Sequence, residues 1–589
     1  MKRWGTPLHH YVRYIAYLLV ITPILLYSYV FLKSLVNFPF YDDFFWYNKL
    51  ILRAEGQPLL TKLALITEQH SDHRLILLKG LALLLSSIGT FDFRAPILLT
   101  NCLFLLFSIH LIVHVYHVSK HWFFTVPCLF ILYQFIPYTV VFSYGLQTLG
   151  VLLFLYFALY YVWLTSRWSY GLTALMALLC VLSNTNGLLV LPILALVYFL
   201  THRYQVAALY ISLTVLIPAV YFSFGYQWNA GAVQYTSHFS KPVNTYLFLA
   251  ELIGTWANLS HAFGYAMAVT VGTLLLLLIA WSLVGFVRSV NWRSLYVPPV
   301  TGASDTARHL ILTATFMLGF ILLTCLLLSY KRFAGTEHTN NVVPHYRQYS
   351  MFALCFCYVL GVAKIAQSRW LWSYAVICAV LSITGNIASY LYIHDSLRQY
   401  TLALRADVYN WQHNQSFLFF PHVEGEVAWQ TVTTEMATNY QKHLIVEPPP
   451  TKPVHLISSS LSATVCQRDH EQVITLTDPA TPHSYLSNVF LVLKNQQATY
   501  FFPFVNTLNS PRTILKQAAL VSSYGQSAIS HYICKDFLPC GSYQPFLYNE
   551  DLHTLQRINT TVTIFPEANS QRHNRKKVIN KQIPIALNQ

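Results

Sequence analysis

Charge is what this chain has least of. Asp, Glu, Lys and Arg make up 10% of its 589 residues, where soluble globular chains carry about 25%. With hydrophobic residues at 55%, that excludes an ordinary soluble enzyme, a coiled coil and a disordered chain. The 22 glycines are too few for a collagen repeat, and no internal repeat of any length stands out. RNP elements, zinc-finger spacings and basic helices are missing, so the net charge of +15 does not point to nucleic acid. Acid is scarcer than base. Residues 1–393 hold 22 Lys/Arg against nine Asp/Glu, whereas residues 394–589 hold 15 against 13. The basic excess therefore lies beside lipid head groups, where loop anchoring accounts for most of it.

What fills the chain is apolar sequence in continuous blocks of roughly 17–25 residues, the length that crosses a bilayer, and mean hydropathy is +0.44. A barrel would alternate apolar and polar residues instead. The fold class expected is an all-α polytopic membrane protein. Spans are predicted near 14–35, 96–117, 122–138, 146–165, 169–183, 187–200, 204–223, 262–287, 309–330, 350–366 and 371–393. That makes about 11 transmembrane helices, with a juxtamembrane partial helix at 75–88. Lys2, Arg3 and Arg13 precede the first block, but no Ala-x-Ala site follows it, so it reads as an uncleaved helix. Residues 1–393 form the membrane domain, with a first outer loop at about 37–95. Residues 394–589 form a C-terminal mixed α/β extracytoplasmic domain. In it Tyr485–Asn495 and Thr499–Val505 read as strands or short helices, and the segment is long enough to hold a core of its own.

Counted over all loops, the cations divide evenly between the two sides. The short turns decide orientation. Lys120, Arg167, Arg203, Lys364 and Arg369 share one side, and the turns near 139–145 and 183–187 on the other carry none. The N-terminus is thus placed inside and the tail outside. Eight of the nine membrane-half acids then fall outside, and five of them crowd into Asp42–Asp72. Acids beside hydrocarbon are costly, which makes such a cluster a functional candidate. The plainer alternative is a solvated acidic loop.

Seven of the ten cysteines, Cys102, Cys128, Cys180, Cys325, Cys355, Cys357 and Cys378, sit in apolar runs and read as small core residues. Cys466, Cys534 and Cys540 lie in the tail. Cys534 and Cys540 are the nearest pair for a disulfide in an oxidising compartment, and the sequence leaves that pairing open. His110, His114, His117 and His121 recur along one helical face. Two of them could bind zinc or copper, but no carboxylate or thiol lies nearby and interfacial histidines are the preferred reading. Sequons at Asn258, Asn414 and Asn559 matter only in a eukaryotic secretory pathway.

The first outer loop opens with Tyr41-Asp42-Asp43-Phe44 and closes with His70-Ser71-Asp72-His73-Arg74. Paired carboxylates at a helix end can draw a proton from a hydroxyl or hold a divalent cation. The second group can orient a carboxylate or bind a phosphate. Three further elements follow: Phe142-Ser143-Tyr144-Gly145-Leu146-Gln147, Ser183-Asn184-Thr185-Asn186-Gly187-Leu188 and His345-Tyr346-Arg347-Gln348-Tyr349-Ser350. Together the five resemble, over about residues 14–366, the C-type glycosyltransferase superfamily. More narrowly they resemble its bacterial polyprenyl-phosphate-sugar-dependent group. All five fall on the outer side in the topology drawn above. This sequence departs from the group's pattern at Asp43 for Glu, Ser71 for Asn, Asp72 for Glu and Thr185 for Ala. The two carboxylate changes keep charge but shorten reach, so metal geometry does not carry over.

The resemblance implies a membrane glycosyltransferase. It would move a sugar from a polyprenyl-phosphate donor to a glycan, lipid or protein acceptor of the cell envelope. It would sit in a bacterial inner membrane, with the active site and C-terminal domain on the periplasmic side. Asp42 would be the general base and Asp43 a supporting carboxylate. Asp72, His73 and Arg74, with His70 beside them, would position acceptor or donor, and Gln147 and Asn186 would bind substrate. Arg347 would neutralise the carrier phosphate, with Tyr346 and Arg332 assisting. No cofactor is specified; Mg2+ or Mn2+ on Asp42, Asp43 and Asp72 is the form a metal site would take. Plainer readings stand beside these: Asp42 as a helix-capping acid, Arg347 as a head-group anchor, Gln147 and Asn186 as structural amides at helix breaks, and Gly187 as a residue that permits a turn. The competing functions are a lipid-linked glycan transporter or flippase, and a polysaccharide polymerase or ligase. The former would carry ionisable groups deep in the membrane and paired broken helices. The latter would place its key cations in later loops.

Overall fold

The computed structural model describes residues 7–39, 43, 47, 49–70, 73–134, 145–164, 166–223, 225–227, 242–259, 263–289, 306–332, 346–366, 368–414, 455–461, 463–468, 471–476, 489–503, 529–534, 541–550 and 553–564. The membrane half is helical: α1 (Pro7–Ser34), α2 (Lys49–Ala54), α3 (Leu59–Thr67), α4 (Ile76–Ile88), α5 (Arg94–Ser119), α6 (Val126–Leu132), α7 (Gly145–Val162), α8 (Arg167–Ser183), α9 (Val190–Leu200), α10 (Tyr204–Ser223), α11 (Pro242–Gly254), α12 (Gly264–Ser289), α13 (Thr306–Arg332), α14 (Arg347–Ile365) and α15 (Leu371–Asn414). Tight 3-10 turns at Trp122–Thr125, Thr185–Leu189 and Thr255–Ala257 join some of them.

Among the described residues, eight helices are long and apolar enough to cross a membrane: α1, α5, α7, α10, α12, α13, α14 and the first part of α15, Leu371–Leu391. Three expected spans, at 122–138, 169–183 and 187–200, correspond to shorter apolar helices, Trp122–Leu132, Arg167–Ser183 and Thr185–Leu200. The partial helix expected at 75–88 is α4.

Burial separates centre from rim. A helix apolar on every face belongs either in a core or against lipid. In α7 83% of the span is buried, in α10 only 17%. So α7 is the hub, and α1, α10 and α12 turn apolar faces outward. Consecutive helices pair: α7 with α8, α9 with α10, α11 with α12, and α13 with α14. The α11–α12 contact is made backbone to backbone. A Cβ on Gly254 would lie 1.8 Å from the Ala268 carbonyl oxygen, and one on Gly272 1.7 Å from that of Ala250. The cysteines expected in the core are buried or half-buried, except Cys102, which faces outward from α5.

The C-terminal region is built of strands: β1 (His455–Leu461), β2 (Ala463–Arg468), β3 (Glu471–Leu476), β4 (Val489–Lys494), β5 (Thr499–Pro503), β6 (Ile529–Cys534), β7 (Gly541–Asn549), β8 (Thr554–Ile558) and β9 (Val562–Ile564). One sheet runs β1-β8-β7-β4-β5, with β9 on β7; the other runs β2-β3-β6. Both runs expected to be regular in the tail are strands, β4 and β5. Cys466 lies on β2 and Cys534 on β6; Cys540 is outside the described residues.

No break occurs at residue 393, where the sequence reading divides the chain. Helix α15 is continuous over its 44 residues, Leu371–Asn414, about 66 Å at 1.5 Å per residue, and its second half lies on the larger sheet. Leu402, Ala406 and Tyr409 pack against Phe490, Val492, Phe501 and Tyr548. Two asparagines close the sheet's edge. Asn410 Nδ2 donates to the Phe501 carbonyl at 2.9 Å, and Phe501 N–H donates back to Asn410 Oδ1 at 2.7 Å. Asn414 exchanges the same pair of bonds with Thr499. One helical turn advances about 5.4 Å and two strand residues about 6.6 Å, so asparagines four apart match strand residues two apart. An exposed edge is a template for unwanted pairing, and here it is satisfied from within. Arg405 Nη1 on Glu550 Oε2 at 2.9 Å and Tyr409 Oη on Glu550 Oε1 at 2.8 Å lock the helix to the turn after β7.

Candidate functional site

The first loop is pinned at both ends. Asn37, just past α1, accepts the Phe93 N–H on its Oδ1 at 2.9 Å. The rings of Tyr47, Phe91 and Phe93 pack with centroids 5.0–6.1 Å apart. Asp43, in the stretch between Asn37 and Tyr47, is buried with 1% of its surface exposed. Asp42 and Asp72, the other two carboxylates expected at the site, are outside the described residues.

The closing motif is bolted to the end of α10. His70 and His73 exchange backbone hydrogen bonds at 2.7 and 2.9 Å, and Gln69 does the same through its side-chain amide with Gln227. Arg74 is held three ways by Tyr221. Its N–H donates to the Tyr221 hydroxyl at 2.7 Å, its Nε donates to the Tyr221 carbonyl at 3.0 Å, and its guanidinium lies over the Tyr221 ring at 5.6 Å. Nη1 donates to the Thr67 carbonyl. Arg74 therefore joins α3 to α10, and two of its donors go to backbone.

His73 does something different. Its Nδ1 lies 3.1 Å from Thr185 Oγ1, and that oxygen lies 2.8 Å from the Tyr221 hydroxyl. One proton per hydroxyl suffices for a directed relay, Tyr221 to Thr185 to His73 Nδ1, which leaves the imidazole proton on Nε2. Burial, then the Lys79 charge, holds His70 down at about 4, so at neutral pH it is an uncharged imidazole. Lys79 itself sits in α4 with 6% exposure. Its Nζ donates to the Glu68 carbonyl at 2.8 Å, and burial lowers its pKa to about 8. On the exposed side, Arg53 makes a bidentate pair with Glu68 at 2.6 Å, which lowers the Glu68 pKa.

The turn Thr185–Leu189 carries the loop's partner on one residue and the next motif on the following one. Asn186 Nδ2 donates to the Tyr349 hydroxyl at 2.7 Å, while Asn186 Oδ1 is buried with no partner. Tyr346 and Tyr349 stack at 6.3 Å on the same face of α14. About 100° further round the helix, Arg347 Nη2 and Gln134 Nε2 converge on the Trp256 carbonyl at 3.3 and 3.1 Å, and the Trp256 N–H donates to Ser350 Oγ at 2.9 Å. The first turn of α14 thus ties together the segments near 134, 186 and 256.

Gly187 is needed for proximity and not for a special backbone angle. A Cβ there would lie 1.9 Å from the Cys180 carbonyl oxygen, because the turn lies against α8. Gln147 is buried in the first turn of α7, and Arg332 is the last residue of α13. Among the described residues no group of three His, Cys, Asp or Glu could hold a metal ion; two of the three carboxylates expected for one lie outside them.

Sequence reasoning missed Tyr221, Trp256 and Gln134, whose roles come from tertiary contact alone. It also passed over Lys79, for which a signal existed: a lysine inside a short apolar helix. Glu251 was counted as an outer acid and assigned no role. It lies in α11 with 1% exposure, its Oε2 has no hydrogen-bond partner, and burial pushes its pKa up to about 8.

The assembled chemistry is a group of cations, the uncharged imidazole of His70 and the ring of His73, with an unmatched amide oxygen on Asn186. Such a surface can hold a phosphate through its donors and a hydroxyl through Asn186 Oδ1. Comparison with protein-family models, with curated proteins and with solved structures finds no match to this chain.

Proposed function

We propose that the protein is a multi-pass membrane glycosyltransferase that moves a sugar from a polyprenyl-phosphate carrier to an acceptor outside the membrane. One observation carries the reading. Thr185 and Asn186, adjacent in one turn, reach His73 of the first loop and Tyr349 of the late motif. Motifs more than a hundred residues apart thereby gather at one end of the bundle. In this reading the three shorter apolar helices also cross, giving eleven spans, and this end with the strand region faces the periplasm. Asp42 draws the proton from the acceptor hydroxyl as it attacks. Arg347 and the His73 Nε2–H stabilise the negative charge that develops on the departing carrier phosphate.

The test compares membranes with wild type and Asp42→Asn at matched expression, profiling surface and lipid-linked glycans by mass spectrometry. One sugar should fall by about 10²–10⁴-fold. Glycans that are unchanged by the substitution but altered by deleting the protein would remove the catalytic assignment. The second reading, transport of a lipid-linked glycan, is favoured by the Glu251 carboxyl, which is buried with one oxygen unpartnered, since a buried ionisable group without a partner is a candidate for an ion or proton path. In that case Glu251→Gln and not Asp42→Asn abolishes the phenotype.

A further inference from the structure

Near its end, helix α14 carries a lysine that reaches across to another helix. Lys364 Nζ lies over the Trp281 ring of α12, 4.6 Å from the centroid. A Cβ on Gly285 would lie 3.8 Å from the same Nζ. The ammonium therefore sits in a notch on α12, floored by a glycine and walled by an indole. Lys364 and Trp281 are both exposed.

Helical phase extends the notch in both directions. At about 100° per residue, Leu274, Leu277, Leu278, Gly285 and Arg288 all fall within about 60° of Trp281. The three leucines are exposed on the outward face of a span only 28% buried. Arg288 is exposed in the last turn of α12. It starts about 4.5 Å along the axis from Gly285. Side chains of a helix lean toward its N-terminus, so the Arg288 side chain leans back toward the notch. One line of α12 thus carries leucines, an aromatic ring, a gap and two cations. Apolar spans, interfacial aromatics and basic ends follow the bilayer in that order.

A cation in a last turn complements its own helix end. That accounts for one charge on each helix, but not for a lysine crossing to a neighbouring indole. Arg203 shows the contrast. Its Nη1 donates to the Val162 and Leu164 carbonyls at 2.8 and 3.3 Å, and its guanidinium lies over Tyr170 and Tyr198. Among the described residues no hydrogen bond or ion pair engages Lys364 or Arg288. Neither α12 nor α14 contains Asp or Glu.

We propose that the notch at Gly285 binds the phosphate of an anionic membrane phospholipid, with Lys364 and Arg288 as donors and the acyl chains along the leucines of α12. Phosphatidylcholine carries the same phosphate but adds a choline cation, which two neighbouring cations repel. The site therefore selects anionic head groups. The full chain would be purified in detergent, titrated with phosphatidylglycerol or phosphatidylcholine of matched chains, and read by native mass spectrometry. Wild type should hold phosphatidylglycerol more tightly. Lys364→Gln and Arg288→Gln should each weaken that binding about fivefold and leave phosphatidylcholine unchanged. Gly285→Leu fills the notch without changing charge and should also weaken it. Arg167→Gln, which removes an exposed cation at the start of α8, should bind as wild type does. Equal binding of the two lipids by wild type, an equal loss in Arg167→Gln, or full binding by both Lys364→Gln and Arg288→Gln overturns the proposal. A dimer that dissociates in Trp281→Ala also overturns it, because a second copy then covers this face.

Discussion

On the proposed glycosyltransferase reading, Gly187→Ala leaves the protein inserted and folded but lowers product formation by about 10²-fold. The added methyl would meet the Cys180 carbonyl oxygen at 1.9 Å and the Val181 nitrogen at 3.0 Å, both backbone atoms of α8 that cannot swing aside. The turn must retreat by an ångström or more, and it carries Thr185 and Asn186. The contacts to His73 and Tyr349 break together. Displacements of about 1 Å in a reacting geometry cost about that factor. Gly171→Ala is the control, since nothing lies within 4 Å of its added Cβ, and it should match wild type. Glycan profiles at equal expression measure both. Activity of Gly187→Ala within about twofold of wild type would show that the turn is not what aligns the site.

Glu251→Gln should raise stability at pH 8 and leave it unchanged near pH 5. The Glu251 carboxyl is held up at about 8, from an ordinary 4.5, by burial, and one of its oxygens has no partner. Between those two values the folded protein keeps a proton that the unfolded chain releases. Wild-type stability therefore falls as pH rises through the window. Glutamine has the same shape and no proton to lose, so its profile stays flat. Thermal unfolding in detergent at pH 5, 6.5 and 8 should show the curves diverging upward in pH by several degrees. A wild type that gains stability with pH relative to the variant would mean that Glu251 is ionised and paired.

The long apolar runs were legible because a bilayer demands them. Each of the eight long spans starts within a few residues of its expected position. The expected 122–138 and 187–200 spans were harder to read. Each combines a 3-10 turn with a shorter α-helix, and composition alone does not show where hydrogen bonding changes from one pattern to the other. The continuation of α15 past 393 was hidden for a different reason. Its polar residues look like a domain linker, but Arg405, Tyr409, Asn410 and Asn414 are partners for a sheet that begins more than forty residues later.

The site divides the same way. Motif residues were found by type and spacing, and His73, Asn186 and Arg347 do make contacts that join separate segments. Arg74 shows the limit: a cation that spacing marks as a phosphate ligand has donors committed to the carbonyls of Tyr221 and Thr67. Tyr221 and Trp256 had no motif, because one tyrosine among 40 and one tryptophan among 13 carry no mark until the chain closes on them.

The unbroken α15 makes the strand region a part mounted on a shaft. Each residue of a helix turns its successor by about 100° and lifts it about 1.5 Å. One residue inserted near 393 would therefore swing the whole sheet about a quarter turn around the bundle, while four inserted residues would bring it back to within about 40° and raise it about 6 Å. The strand region is indexed to the helical bundle by helical phase. Its height and its facing can change only together, in steps set by the pitch of the backbone.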